Sequence, residues 1–140
     1  MKATHLKQAA ALIAVTVFAA NMPAGAHHSF AMYEKDKLLT LQGEVKSFQW
    51  TNPHCVLSFM VKPEGGGEPQ EWAMETTSPG VLTRSGWTRN SIKPGDRVSV
   101  EFSPLRDGSH GGGIESVTLL DTGQKLTVTF SNPRDDIRQP

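Results

Sequence analysis

The sequence contains almost no cysteine and no hydrophobic run long enough to cross a membrane. Cys55 is the only cysteine among 140 residues, so no disulfide can form within the chain, and we expect Cys55 to be a small buried apolar residue in a strand. The most apolar stretch, residues 9–20, has 12 residues, whereas a membrane-spanning helix needs roughly 20. Neither a disulfide-rich scaffold nor a helical membrane protein is therefore predicted.

This apolar stretch is instead typical of a secretory signal peptide. Lys2 and Lys7 precede it, and Ala24-Gly25-Ala26 follows it with the small-x-small pattern that signal peptidase cleaves. Cleavage after Ala26 predicts a periplasmic protein whose mature chain begins at His27 and has no transmembrane segment. The new amino terminus would then carry a free α-amine next to a histidine ring.

An excess of charge of either sign is also missing. The chain has 14 basic and 14 acidic residues, and only Lys2 and Lys7 are lost with the signal peptide, which leaves 12 minus 14, or −2, with neutral histidines. Nucleic-acid-binding proteins usually carry a clear positive excess. The balance therefore predicts no nucleic-acid partner and no attraction to an anionic membrane surface.

The motifs of the common catalytic and metal-binding classes are absent as well. The sequence has no HExxH, no Cys/His pairs at zinc-finger spacing, no acidic calcium loop and no G-x-S-x-G. Glycine triplets occur at residues 65–67 and 111–113, but neither is followed by Lys-Ser or Lys-Thr, so we interpret both as hairpin tips rather than phosphate loops. An enzyme is therefore not the first expectation.

Short segments of alternating polarity, separated by turn residues, are what the sequence does contain. In the first of them the apolar phase slips between Val45 and Phe48, which predicts a bulge near Lys46-Ser47. One helix signal begins at Ser78-Pro79 and ends at Gly86. We expect strands at residues 38–50, 55–61, 71–76, 97–102 and 114–120, and a last extended segment at 125–130.

This order of elements predicts a mostly β protein. Five strands with one short helix between the third and the fourth match a small OB-like Greek-key barrel. Another small β-sandwich or open barrel is the alternative, because element order does not fix strand pairing. We expect residues 1–26 to be the signal peptide, residues 27–130 a single domain, and residues 131–140 a disordered polar tail.

Histidines form the first group of candidate functional residues. His27 would offer its α-amine and its ring to one metal ion, and His54, after the Thr51-Asn52-Pro53 turn, would add a third nitrogen, with His28 in reserve. Nitrogen ligands in a planar arrangement favour Cu(II), and this set is similar to that of secreted copper proteins that begin with histidine. The alternative is that these histidines are polar surface residues, as we expect for His110 in its glycine-rich loop.

Aromatic residues form the second group. Trp50, Trp72 and Trp87 could line one groove of the barrel and stack on a ligand, together with Asn52. The alternative is that the tryptophans belong to the core and plug the ends of the barrel. Glu75, in the same apolar strand as Trp72, is the one carboxylate that the pattern singles out for such a site.

Several of these segments recur together in a known family. The chain resembles a family of small exported bacterial proteins whose domain has no known function, and this resemblance implies an exported OB-like β-domain without assigned catalytic residues. The motifs that carry it are AHHSF, W-T-N-P-H, W-x-x-E, S-P-x-x-L-x-R-x-G-W, K-P-G-D and P-x-R-D-G, at Ala26–Phe30, Trp50–His54, Trp72–Glu75, Ser78–Trp87, Lys93–Asp96 and Pro104–Gly108.

Three functions of different classes fit the sequence. The first is a periplasmic binding module that holds copper or another transition metal through His27, His28 and His54. The second is a metal-free interaction domain that binds a peptide, a glycan, a small molecule or an envelope protein through its tryptophans. The third is a copper-dependent oxidoreductase-like protein.

Overall fold

The computed structural model describes residues 31–128. The predicted signal peptide, His27, His28 and the predicted tail at residues 131–140 lie outside this range. The elements in chain order are β1 (Leu39–Gln49), β2 (Val56–Val61), β3 (Gln70–Glu75), α1 (Pro79–Arg84), β4 (Arg97–Pro104), β5 (Gly111–Leu119) and β6 (Lys125–Thr127).

Five of the strands close into a barrel. β1 pairs antiparallel with β2 on one side and with β4 on the other, β3 continues from β2, and β5 continues from β4. A short parallel pairing, Ala73–Glu75 against Gly111–Gly113, joins β3 to β5 and completes the ring. β6 pairs with the later part of β5. With α1 between β3 and β4, this is the topology of an OB barrel, and the predicted fold class is confirmed.

The predicted bulge in β1 is present. The register between β1 and β2 shifts between Val45 and Ser47. Val45 instead bonds to the tight turn before β4, donating to the carbonyl of Asp96 at 2.9 Å and accepting from the amide of Gly95 at 2.8 Å. The bulge therefore lets one long strand bend and serve two neighbours, as a small barrel requires.

The core fills the barrel with large apolar side chains. Val98, Val100 and Phe102 alternate inward along β4, as the sequence pattern predicts. Trp87 is fully buried, and its indole Nε1 donates a hydrogen bond to the carbonyl of Thr127 at 3.0 Å. The largest fully buried residues are Trp87, Phe59, Phe102, Leu57, Met74 and Leu82.

The interpretation of residues 111–113 as a hairpin tip is wrong. These glycines form the first part of β5 and make the parallel contact with β3. A Cβ at Gly111 would lie 2.9 Å from the carbonyl oxygen of Ala73, and one at Gly112 would lie 2.6 Å from that of Ser103. Close backbone approach at the seam of the barrel, rather than a turn, therefore explains the triplet.

The triplet at residues 65–67 does lie between β2 and β3, and Gly66 and Gly67 have positive φ angles of 79° and 120°. α1 has six residues, and the side chain of its N-cap residue, Ser78, makes no capping hydrogen bond. Among residues 31–128 there is no helix of the length and apolar character needed to span a membrane.

Candidate functional site

The candidate site lies on the outer surface of the barrel, where β3 ends. Met74 is fully buried in the core, and successive residues of a strand face opposite sides, so the next side chain, Glu75, faces outward. Val56 pairs with Glu75 across β2 and β3. This pairing brings the segment that precedes β2, and His54 with it, beside the Glu75 carboxylate.

Glu75 contacts two side chains at once. The phenol of Tyr33 donates a hydrogen bond to Oε2 of Glu75 at 3.1 Å, and Nδ1 of His54 pairs with Oε1. We call Tyr33, His54 and Glu75 the Glu75 cluster. The side chains of His54 and Glu75 are 37% and 33% exposed, so small solutes can reach the cluster from solvent.

Tyr33 is held in the cluster by the segment that precedes β1. We call residues 31–34 the strap. The amide of Glu34 donates to the carbonyl of Pro104, and the amide of Arg106 donates to the carbonyl of Met32, each at 2.9 Å. The strap therefore follows the end of β4 as a short antiparallel bridge.

The ring of Tyr33 packs on Gly113 of β5. A Cβ at Gly113 would lie only 3.5 Å from the Tyr33 ring, so the ring covers β5 at close range. This is an ordinary contact distance, so Tyr33 packs directly on the backbone of β5 next to the parallel pairing with β3. No local sequence pattern marks Tyr33 as a site residue, although it is the only tyrosine in the chain.

The surroundings of Tyr33 hold its phenol in the neutral form. Burial, then the negative charge of Glu75, then the hydrogen bond to Glu75 raise the pKa of Tyr33 well above its ordinary value of 10.0. A folded-state pKa above that of the unfolded chain stabilises the fold fully below about pH 10, and this stabilisation is lost as the pH rises through the folded value.

We expect the single tyrosine to report this effect directly. Phenolate absorbance should appear in the folded protein only at a pH clearly above that of the protein unfolded in urea. Glu75→Gln should move the titration part of the way back, because burial, the largest cause, is unchanged. Exposed Glu115→Gln is the matched control and should leave the titration in place. Equal titrations of folded and unfolded wild-type protein would contradict the predicted environment.

The Glu75 cluster leaves one ring nitrogen of His54 available to bind an ion. Because Nδ1 of His54 pairs with Glu75, Nε2 is the position that can bind an ion, and it has no hydrogen-bond partner among residues 31–128. Histidine ligands of metals commonly have this carboxylate partner on the other nitrogen. Glu75, predicted as a ligand-binding residue, therefore acts here as the group that orients His54. No set of three His, Cys, Asp or Glu side chains in the described range could hold a metal ion.

The tryptophans do not form one groove. Trp87 is completely buried and so lines no surface. Trp72 stacks on His110, with ring centroids 4.7 Å apart and an interplanar angle of 18°, and its edge contacts Phe102. Trp50 packs edge-on against Phe48 at the partly exposed end of β1. Each of the three predicted tryptophans therefore contacts another aromatic ring.

The remaining predicted positions lie around the same loop. Asn52 is exposed in the turn between β1 and β2, where its peptide bond to Pro53 is cis. Cys55 is fully buried, one residue before β2, and burial raises the pKa of its thiol. A buried protonated thiol is unreactive, in agreement with its interpretation as a small apolar residue.

Topology and site together define a class, a small OB-fold barrel with an oriented surface histidine. A sequence profile for a family of unknown function (DUF6152) matches residues 14–115. The chain therefore belongs to that family, as its motifs predict. The matched range includes His27, His28 and His54.

Comparison with other proteins adds little to this assignment. No curated protein matched the sequence. Among solved structures, the mitochondrial single-stranded DNA-binding protein Rim1 of S. cerevisiae is similar, with a TM-score of 0.46 and 13% identity over 60% of this chain and 93% of the other. The fold assignment rests on the strand pairing described above.

Proposed function

We propose that the protein is an exported, periplasmic binding module for a transition-metal ion, with Cu(II) as the favoured ion. His54 Nε2 and the amino-terminal group of His27, its amine and its ring, are the proposed ligands, with His28 in reserve. The observation that carries the proposal is the pairing of His54 Nδ1 with the Glu75 carboxylate.

The chemistry of these groups favours copper. All the proposed ligands are nitrogens, and affinity for divalent ions of the first transition series reaches its maximum at Cu²⁺. A terminal amine and the ring of the same residue can close a chelate without any protein fold. A third nitrogen from a rigid barrel would then fix the ion at one place on the surface.

The position of the strap supports this arrangement. The carbonyl of Ala31 accepts a hydrogen bond from Nε of Arg106 at 3.0 Å, so the strap begins at a fixed point near the loop between β4 and β5. The four residues from His27 to Phe30 can span about 14 Å when extended. Tyr33, two residues further on, already contacts the carboxylate that holds His54.

Glu75 would act as a positioning residue. Its carboxylate sets the orientation of the imidazole and makes Nε2 more basic when Nδ1 donates to it. Tyr33 and His54 approach opposite oxygens of the carboxylate. A second hydrogen bond of this kind restricts rotation of Glu75 and thereby of His54.

Calorimetric titration with Cu(II) tests the proposal. Protein beginning at His27 is compared with the same protein carrying Gly-Ser ahead of His27, which removes the amine from the chelate. We expect tight binding only without the extension. We expect His54→Ala to weaken binding strongly and Glu75→Gln to weaken it by about 10–100-fold.

His110→Ala is the matched control, because its ring stacks on Trp72 and lies outside the Glu75 cluster. It should leave copper affinity unchanged. Electron paramagnetic resonance of the loaded protein should report nitrogen ligands that decrease in number in His54→Ala. Equal, weak binding with and without the Gly-Ser extension would refute the amino-terminal chelate.

One observation supports the interaction domain as a second candidate. Trp50 is only partly buried, and the residues that follow it, Thr51, Asn52 and Pro53, are exposed. A peptide or glycan partner would meet this surface rather than Trp72 or Trp87. Trp50→Ala should then abolish binding of that partner and leave copper affinity unchanged.

A further inference from the structure

A groove of about 610 Å³ lies over the bend of β1, and it shares no residue with the Glu75 cluster. The bend depends on Gly43, because a Cβ there would overlap the carbonyl oxygen of Met60 and lie 2.7 Å from the Phe59 ring. Close approach of β1 to β2 at this point leaves a concave outer surface. Its volume is in the range of small-molecule sites, about 300–1,000 Å³.

The charged residues along the groove differ in whether they have partners. Lys46 pairs with Glu71 at 2.6 Å, and Arg97 pairs with Asp121. By contrast, Glu44 and Lys62 form no ion pair within residues 31–128. Glu44 lies directly opposite Arg97 in the pairing of β1 with β4, but Arg97 is bonded to Asp121. The carboxylate of Glu44 and the ammonium group of Lys62 are therefore the charged groups of the groove without an ion-pair partner in the described part of the chain.

These two residues lie on the same outer face of the sheet. Glu44 is directly opposite Met60 in the pairing of β1 with β2, and Lys62, two residues beyond Met60, faces the same side. Diagonal positions of this kind are about 7–8 Å apart. The apolar part of the lining includes Met60, Pro69 and Leu120, and the polar part includes Gln42 and the ion-paired Lys46 and Arg97.

We propose that this groove binds a short apolar peptide with both termini free, most favourably a dipeptide. The peptide ammonium pairs with Glu44, the peptide carboxylate pairs with Lys62, and an apolar side chain covers Met60 and Leu120. Two extended residues span about 7 Å, which is comparable to the spacing of the two strand positions that carry these side chains.

Binding of leucyl-leucine, followed by backbone amide NMR shifts of the intact protein, tests this proposal. We expect saturable shifts around Glu44, Met60 and Lys62. N-acetyl-leucyl-leucine lacks the ammonium and leucyl-leucine amide lacks the carboxylate. Each should bind about threefold more weakly or worse, as the loss of an exposed ion pair implies.

The variants Glu44→Gln and Lys62→Met identify which charge binds which terminus. Glu44→Gln should weaken the binding of leucyl-leucine but leave the affinity of the acetylated peptide unchanged. Lys62→Met should also weaken the binding of leucyl-leucine but leave the affinity of leucyl-leucine amide unchanged. Exposed Glu115→Gln and Lys93→Met are controls and should change neither. Absence of saturable shifts in the groove, or equal effects of both variants on all three peptides, overturns the proposal. No metal is present in these experiments, so their outcome is independent of the copper titration.

Discussion

Replacing Gly112 by alanine is expected to lower the free energy of unfolding by about 3 kcal/mol. The new Cβ would overlap the Phe102 ring and lie 2.6 Å from the carbonyl oxygen of Ser103. Phe102 is fully buried, so neither neighbour can move without displacing the core or β4. Urea denaturation followed by circular dichroism would measure the loss.

Gly80→Ala is the matched control for this substitution. Gly80 lies in α1, and the nearest atom to an added Cβ is Nη1 of Arg84 at 4.0 Å. Alanine is favoured over glycine in helices by up to about 1 kcal/mol, so this variant should be as stable as the wild type or slightly more stable. Equal stabilities of Gly112→Ala and Gly80→Ala would contradict the role of Gly112 at the seam.

Replacing Trp87 by alanine is expected to lower the free energy of unfolding by about 3–5 kcal/mol. The indole is completely buried, and its Nε1 satisfies the carbonyl of Thr127 in β6. Truncation therefore leaves both a large cavity and an unpaired backbone acceptor. Chemical denaturation should show the loss, and amide exchange should show that β6 opens at lower free energy than in the wild type.

Two further tryptophan variants separate the effects of lost packing, of the lost hydrogen bond and of burial on stability. Trp87→Phe retains most of the apolar volume but not the N–H donor, so its effect should be intermediate. Trp50→Ala removes a partly exposed ring and should lower stability by about 1 kcal/mol. If Trp50→Ala proved as destabilising as Trp87→Ala, the assignment of Trp87 to the core and Trp50 to the surface would be wrong.

Features that depend on neighbouring residues could be predicted from the sequence. Alternation of apolar and polar residues along residues 97–102 predicts which side chains of β4 face the core. The change in the phase of the apolar residues after Val45 predicts the bulge in β1. The residues Lys93-Pro94-Gly95-Asp96 are typical of a tight turn, and the Asp96 amide donates a hydrogen bond to the Lys93 carbonyl as such a turn requires. Each of these patterns lies within a segment of about ten consecutive residues, because side-chain alternation and turn geometry are local properties.

Contacts between distant residues could not be predicted in this way. The sequence selected His54 and Glu75 separately, but nothing local connects them, and the strand register between β2 and β3 brings them together. Tyr33 and Glu75 are separated by 42 positions. Trp87 and Thr127 are separated by 40 positions, so only the folded chain distinguishes this core tryptophan from a ligand-stacking one.

The sequence by itself determined the order of strands and helix along the chain, the family, and the small set of histidines that we propose as metal ligands. The tertiary structure decided how these residues act. Gly111–Gly113 became the seam of the barrel because two backbones meet there, and Glu75 became the partner of His54 because strand pairing places their side chains on one face. Local patterns record which way a side chain faces, whereas strand register decides what it faces.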